Sequence, residues 1–394
     1  MENLPIVHVV NGRQKKLLQG HPWVYGNEIE RVEGEIEDGG LATVVDFRGR
    51  YMGTGFYNSK SLITVRLLTH RQEEITDELI ASRVKAACDY RRFVMNRPGT
   101  DSCRLIYGEA DRLPGVIADR FGGVIVLQVL ALGMERFTQT IADALLACEK
   151  PDCLLLQNDD AIRRKEGMEC FTRVLYGTLP EENIIHENGV KLAVDVLGGQ
   201  KTGYFLDQKD NHLFVRQFCK DARVLDCFSY IGAFALNAAA AGAKEVTAVD
   251  ISEAAVQRIE KNAALNGADI TAVCANCFDF LRAQVKAGEK YDVVVLDPPA
   301  FTKAHANMAS ACRGYKEIAL SAMRLLPAGG VLATHSCSYH MPEEVFVNTV
   351  LSAAQDLHRQ VRVITLRRQD IDHPVLAGYP ESHYLKSLWL QMLD

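Results

Sequence analysis

Short runs such as Ala42-Thr43-Val44-Val45-Asp46-Phe47 and Leu62-Ile63-Thr64-Val65-Arg66-Leu67-Leu68 alternate apolar and polar positions between glycine-containing turns. A period near two puts successive side chains on opposite faces of a strand, so residues 1–72 predict an all-β unit. Its one short helix is expected at Gln14–Leu18, just ahead of Gly20-His21-Pro22-Trp23-Val24-Tyr25. Residues 73–185 mix the two periods and predict a small α+β unit. Leu79, Ile80, Val84, Ala87 and Cys88 recur at helical intervals within 77–96, and a second helix is expected over 137–148. Between them, Tyr107–Gly115 reads as a polar turn joining two strands, and Val124–Leu132 suits a buried strand.

Over residues 186–394 strands and helices alternate, which implies an α/β unit with a mostly parallel sheet covered on both faces. A strand is expected at 190–196 and a helix at 208–218. Five sheet strands then follow, at Val224–Cys227, Glu245–Val249, Val273–Asn276, Val293–Leu296 and Val331–Thr334. The first runs through Phe228-Ser229-Tyr230-Ile231-Gly232 into an alanine-rich helix, the arrangement by which such sheets present a loop to a small ligand. The second ends on Asp250, whose carboxylate can accept two hydrogen bonds from a ribose hydroxyl pair. The loop lacks the three glycines that bring backbone close to a pyrophosphate, so a nucleoside ligand without phosphates fits better. S-adenosylmethionine is such a ligand; a βαβ unit with no ligand is the alternative.

A length of 394 residues allows two or three domains, and 48% hydrophobic residues are ample for packed cores. The net charge of −6 gives no global signal for nucleic acid, so an RNA-binding reading rests on local clusters. Arg13, Lys15 and Lys16 lie beside Trp23 and Tyr25, a basic and stacking combination that can hold RNA, or else a solvated helix face above a packed Trp23. Arg163, Arg164 and Lys165 form a basic turn that alone serves only solubility. No apolar stretch reaches membrane-spanning length, and Met1–Val10 has no signal-peptide pattern. The eleven cysteines have no regular spacing, so reduced thiols in the cytoplasm are expected. Cys274 and Cys277 have metal-ligand spacing but no second pair, and no metal is expected.

Two further segments carry chemistry. Asp297-Pro298-Pro299-Ala300-Phe301 follows the fourth strand, at the carboxyl edge where doubly wound sheets bind ligands. The prolines hold the backbone extended, Phe301 can stack on a base and Asp297 can bond its edge. Ser336-Cys337-Ser338 follows the fifth strand at the same edge. Cytosine C5 is too weak a nucleophile to take a methyl group unaided, and thiolate addition at C6 makes it one. Cys337 is the candidate thiol, against the reading of a small cysteine closing a strand. Asn276 and Cys277, at the end of the third strand, are candidates for the edge and face of an adenine.

Taken together, these segments resemble the bacterial large-subunit (23S) rRNA cytosine-5 methyltransferases of the three-domain type. The likeness spans nearly the whole chain. It runs through Gly20-His21-Pro22-Trp23-Val24, Gly108–Gly115, Arg164-Lys165-Glu166-Gly167, Lys201–Gln208, Asp226–Tyr230, Asp297-Pro298-Pro299, Arg313–Lys316, Ser336-Cys337-Ser338 and His373-Pro374. It implies a PUA domain (1–72), a central α/β domain that contacts RNA (73–185) and a Rossmann-like class I methyltransferase domain (186–394). It implies S-adenosylmethionine bound by Gln208, Asp226, Phe228, Tyr230, Gly232, Asp250, Asn276, Cys277 and Asp297. Cys337 would be the nucleophile and Asp297 would position the cytosine. Pro298, Pro299, Phe301, Lys15, Lys16, Arg163, Arg164 and Lys165 would meet ribosomal RNA. Members of this family associate, so a homodimer is compatible, though no residue requires it. The chain departs from the family at Ala233, Ala300 and the pair Ala275-Asn276. Asp297 and His335 are the candidates for the base that removes the C5 proton. Two other readings stay open: an exocyclic-nitrogen methyltransferase with a structural Cys337, and a non-catalytic RNA-binding assembly factor.

Overall fold

The computed structural model describes residues 4–301 and 307–394, and the sheets follow one another along the chain. The first has six strands, in the order Trp23–Val24, Val65–Thr69, Tyr51–Tyr57, Leu41–Val45, Ile6–Val9, Ile29–Glu33. Its alternating positions turn Val7, Val9, Ala42, Val44, Val65 and Leu67 inward onto Leu17 of the short helix Gln14–Leu18. The second has five strands, in the order Phe171–Gly177, Cys153–Asn158, Val124–Val129, Val116–Phe121, Ser102–Tyr107.

Both faces of this second sheet are covered. Ile125 and Leu127 pack with Ile80, Val84, Ile141 and Leu145 of the helices Asp77–Val94 and Thr138–Glu149. Val124 and Val126 pack on the opposite side, with Leu192 and Val194 of the hairpin Asn183–Val194 and with Ile231 and Leu236 beyond it. A strand buried on both faces needs a continuous apolar run, which is what 124–127 supplies.

The third sheet has seven strands: β1 (Arg223–Cys227), β2 (Glu245–Asp250), β3 (Thr271–Cys274), β4 (Val293–Leu296), β5 (Val331–Ser336), β6 (Val361–Arg367) and β7 (Lys386–Met392). Their spatial order is 3-2-1-4-5-7-6. Strands β1–β5 are parallel, and β7 runs antiparallel between β5 and β6. Helices α1 (Ala233–Ala240), α2 (Glu253–Asn266), α3 (Cys277–Ala287), α4 (Met308–Leu325) and α5 (Glu343–Asp356) cover it. Strand order reverses between β1 and β4, so a crevice opens at their carboxyl ends.

The helix expected at 208–218 is broken into a 3-10 turn at Leu206–Gln208, a helix at Lys209–Val215 and a second 3-10 turn at Arg216–Phe218. Two sequence expectations about RNA contact need correction. Arg163 lies in a short helix, Ala161–Lys165, and is 0% exposed. Its guanidinium bonds Glu135 at 2.5 Å, the Glu169 carbonyl at 2.7 Å and the Val129 carbonyl, so it ties the turn to the sheet and cannot meet RNA. Arg164 and Lys165 are exposed. Lys16 is drawn onto Glu28 at 2.6 Å and over the Tyr25 ring, while Lys15 faces solvent. Trp23 is not a free stacking platform either. Its indole N–H donates to Glu109 at 2.7 Å and its ring meets Tyr379 at 4.8 Å.

Candidate active site

A cavity of about 320 Å³ lies at the reversal point, within the size range of small-molecule sites. Its walls include Gln208, Phe228, Tyr230, Asp250, Asn276, Cys277, Asp297, Pro298, Pro299, Phe301 and Cys337, so the structure gathers most of the residues expected from sequence. Asp226 and Gly232 do not line it. The Asp226 carboxylate is 0% exposed and accepts from Ser229 Oγ at 2.5 Å and the Ala235 N–H at 3.1 Å. It shapes the loop from behind, and burial pushes it up to about 7.

That loop is strained. Phe228 and Tyr230 adopt φ of +63° and +52°, and Gly232 reaches +89°. Left-handed conformations at non-glycine residues cost on the order of 1–3 kcal/mol each and persist only when their surroundings hold them. Here the Phe228 N–H donates to Cys277 Sγ at 3.2 Å, the Ser229 N–H to the Val249 carbonyl at 3.1 Å, and the Tyr230 N–H to Asp250 Oδ2 at 2.9 Å. The Tyr230 hydroxyl donates to the Gly203 carbonyl at 3.0 Å and accepts from the Gln200 N–H at 3.1 Å, which draws the segment 200–208 over the cavity.

The residue types suit a nucleoside. Asp250 uses one lone pair of each oxygen on the Tyr230 and Ser252 N–H groups, leaving acceptor capacity toward the cavity. Ile251, 68% exposed at the cavity rim, offers an apolar face beside it, as does Phe278. Asn276 caps α3 through Oδ1, at 2.9 Å from the Phe278 N–H, so only its amide N–H groups remain for a ring edge. Cys277 is buried beneath the Phe228 N–H, while Cys274 is exposed and its thiol donates to the Ile251 carbonyl at 3.6 Å. Those two thiols are engaged separately, and among the described residues no group of three ligating side chains could hold a metal.

Asp297 accepts from Gln208 Nε2 at 3.1 Å, and Gln208 Oε1 accepts from Asn211 Nδ2 at 2.7 Å, which fixes the amide orientation. Burial, reinforced by the nearby Asp207, pushes Asp297 up to about 7. Asp207 itself stays well below the usual carboxylate range. Burial opposes this, but Lys201 at 2.9 Å and His373 outweigh it. Phe301 packs on Tyr315 at 4.7 Å and Phe278 at 5.8 Å, and the Tyr315 hydroxyl pairs with Ser336 Oγ at 2.9 Å. Cys337 is pushed up to about 11 by burial; Lys201 and Lys386 oppose the shift, Asp297 and Asp207 add to it. His335 does not line the cavity. It is fully buried, stacked on Phe234 at 5.1 Å, without a hydrogen-bond partner among the described residues at either ring nitrogen, and held neutral by burial, down to about 3. It therefore drops out as the C5 base.

Sequence reasoning missed Phe205, Ile251 and Phe278 on the cavity walls and Lys386 behind Cys337. Only Ile251 carried a signal, as an apolar residue just past a strand end.

Comparison with known proteins gives the family. Residues 7–70 match a PUA-like domain, and residues 125–369 match the S-adenosylmethionine-dependent methyltransferases. A protein from Streptococcus mutans, described as a SAM-dependent methyltransferase, shares the fold over 98% of this chain and 99% of its own, with a TM-score of 0.84 and 19% identity. The chain is 42% identical over 388 residues to the ribosomal RNA large subunit methyltransferase I of Klebsiella pneumoniae (strain 342), covering 97% of each. It is 41% identical over 390 residues to the protein of that name from Salmonella arizonae, covering 98% of this chain and 96% of the relative. The chain belongs to this methyltransferase I family: a PUA-like domain followed by an S-adenosylmethionine-dependent methyltransferase domain.

Proposed function

We propose that this protein methylates C5 of a cytosine in large-subunit ribosomal RNA, with Cys337 as nucleophile. The observation that carries the reading is the placement of Cys337 and Asp297, at the tips of the neighbouring strands β5 and β4, on the walls of one cavity. The names of the relatives supply the ribosomal RNA. Bound beside the strained loop, S-adenosylmethionine supplies an electrophilic methyl group.

The chain's own residues do the rest. Asp297, pushed up to about 7, is partly protonated at neutral pH. A protonated carboxyl donates to a cytosine ring nitrogen while its other oxygen accepts from the exocyclic amine. Cys337, as thiolate, bonds to C6 and moves the double-bond electron pair onto C5, which then accepts the methyl group. Transfer of the C5 proton to solvent restores the double bond, breaks the C6–S bond and returns the thiolate. Lys15, Arg164 and Lys165 are the exposed basic residues offered to RNA phosphates, and ribosomal RNA as substrate places the protein in the cytoplasm.

The test is methylation of rRNA from cells lacking this protein, followed by nucleoside mass spectrometry. 5-Methylcytidine is the expected product. A methylated exocyclic amine would return Cys337 to a structural role, and no transfer by a protein that still binds S-adenosylmethionine would leave an RNA-binding factor.

A further inference from the structure

A thiol pushed up to about 11 is almost wholly protonated at neutral pH, so the proposed nucleophile needs a neighbour that favours its anion. Two cations oppose the upward shift, Lys201 and Lys386. Lys201 is 38% exposed at its side chain and already neutralised by Asp207 at 2.9 Å, a carboxylate that itself works against the thiolate. Lys386 differs in every respect. It stands at the start of β7, directly across the sheet from Ser336, and is only 3% exposed. Its Nζ donates to the Ser338 carbonyl at 2.5 Å and the Tyr384 carbonyl at 2.6 Å, so the amine grips the turn that holds Cys337. Among the described residues no carboxylate lies within ion-pair distance of it.

A buried amine bonded to two carbonyls has one tetrahedral position left. In the neutral form that position is a lone pair, and in the charged form it is a third N–H. We propose that Lys386, as an ammonium gripping the turn that holds Cys337, is the charge partner of Cys337 and stabilises the thiolate that attacks the base. The S–H bond breaks, its proton leaves to solvent, and the buried site holds a thiolate–ammonium pair. Lys386 is thus a positioning residue, acting through the sulfur and not on the RNA. Burial lowers the amine to about 8, which still leaves it mostly charged at neutral pH. The inference rests on the cytosine-5 reading for its catalytic consequence, but the pairing can be tested without RNA.

The experiment is alkylation of Cys337 by iodoacetamide in the intact, RNA-free protein, followed by peptide mass spectrometry from pH 6 to 10. The groups that titrate or carry charge around the pair are Lys201, Asp207 and Asp297 about the thiol, and Glu343 about the amine, with Arg368 and His383 behind Glu343. Lys386→Met is expected to raise the alkylation midpoint by about one unit and slow the reaction at pH 7.5 about tenfold. Lys386→Arg, which keeps a cation on the same strand, is expected to retain the midpoint of the unsubstituted protein. An unchanged profile in folded Lys386→Met overturns the proposal. Should that variant fail to fold, Lys386→Arg decides: a midpoint displaced upward despite the retained charge overturns it too. The two readings fail separately. A shifted midpoint with a methylated purine as product defeats the cytosine reading and with it the catalytic role of the pair. An unshifted midpoint with 5-methylcytidine as product defeats only the pair.

Discussion

Two clusters of buried charge stand in contrast. Where the N-terminal sheet meets the central one, Arg66 bonds Glu109 at 3.0 Å and Glu166 at 3.1 Å, and Trp23 adds its indole N–H to Glu109. Burial works against the Arg66 charge, yet the two carboxylates outweigh it and hold the guanidinium above its ordinary range. The charges there compensate one another. Around the cavity, Asp226 and Asp297 are buried, no lysine or arginine among the described residues forms an ion pair with either, and both rise to about 7. The same residue types that pair off in one place to join domains are left under-compensated in the other, so that protons can move at physiological pH.

The largest effect should come from the cavity. Cys337→Ala is expected to lower methyl transfer by more than about 10³-fold with S-adenosylmethionine binding intact, read by radiolabel transfer and calorimetry. Full activity would dissolve the functional side of the contrast. The structural side breaks at Arg66. Arg66→Ala leaves two buried carboxylates unpaired and should cost roughly 3–5 kcal/mol of stability, seen as a large fall in Tm. A change within error would make the corner dispensable.

Asp226 sharpens the comparison through pH. Its folded value, about 7, lies above the unfolded value near 4, so between those limits the folded chain binds more protons. Stability from this group is therefore present at low pH and lost as pH rises toward 7, by on the order of a few kcal/mol. Asp226→Asn should flatten the Tm profile between pH 4 and 7; an unaltered slope would show that the carboxylate is not the under-compensated group described. The smallest effect is expected for Tyr230→Phe, which removes the tie to Gly203 and Gln200. Loss of about 1 kcal/mol should weaken S-adenosylmethionine binding about fivefold by calorimetry, with Tm nearly unchanged.

Strands and ligand loops were legible because they depend on local pattern. The four-residue apolar run 293–296 reads as a strand from its own residues, and Asp297-Pro298-Pro299 announces its end. The strand order 3-2-1-4-5-7-6 was not legible, since no local period specifies which strand lies beside which. Arg163 shows the same limit in a single side chain. Three adjacent basic residues look alike in sequence, yet Glu135 and the Val129 and Glu169 carbonyls converge on only the first.

The sequence by itself determined which groups are present for chemistry: a loop opening a helix, a carboxylate at the second strand tip, an Asp-Pro-Pro segment and a cysteine following two other strands. Tertiary structure alone decided their state. Whether a carboxylate is ionised, or a thiol can lose its proton, depends on burial and on partners from distant parts of the chain. Lys386, nearly fifty positions from Cys337 yet bonded to the Ser338 carbonyl, is such a partner, and no local pattern could have named it.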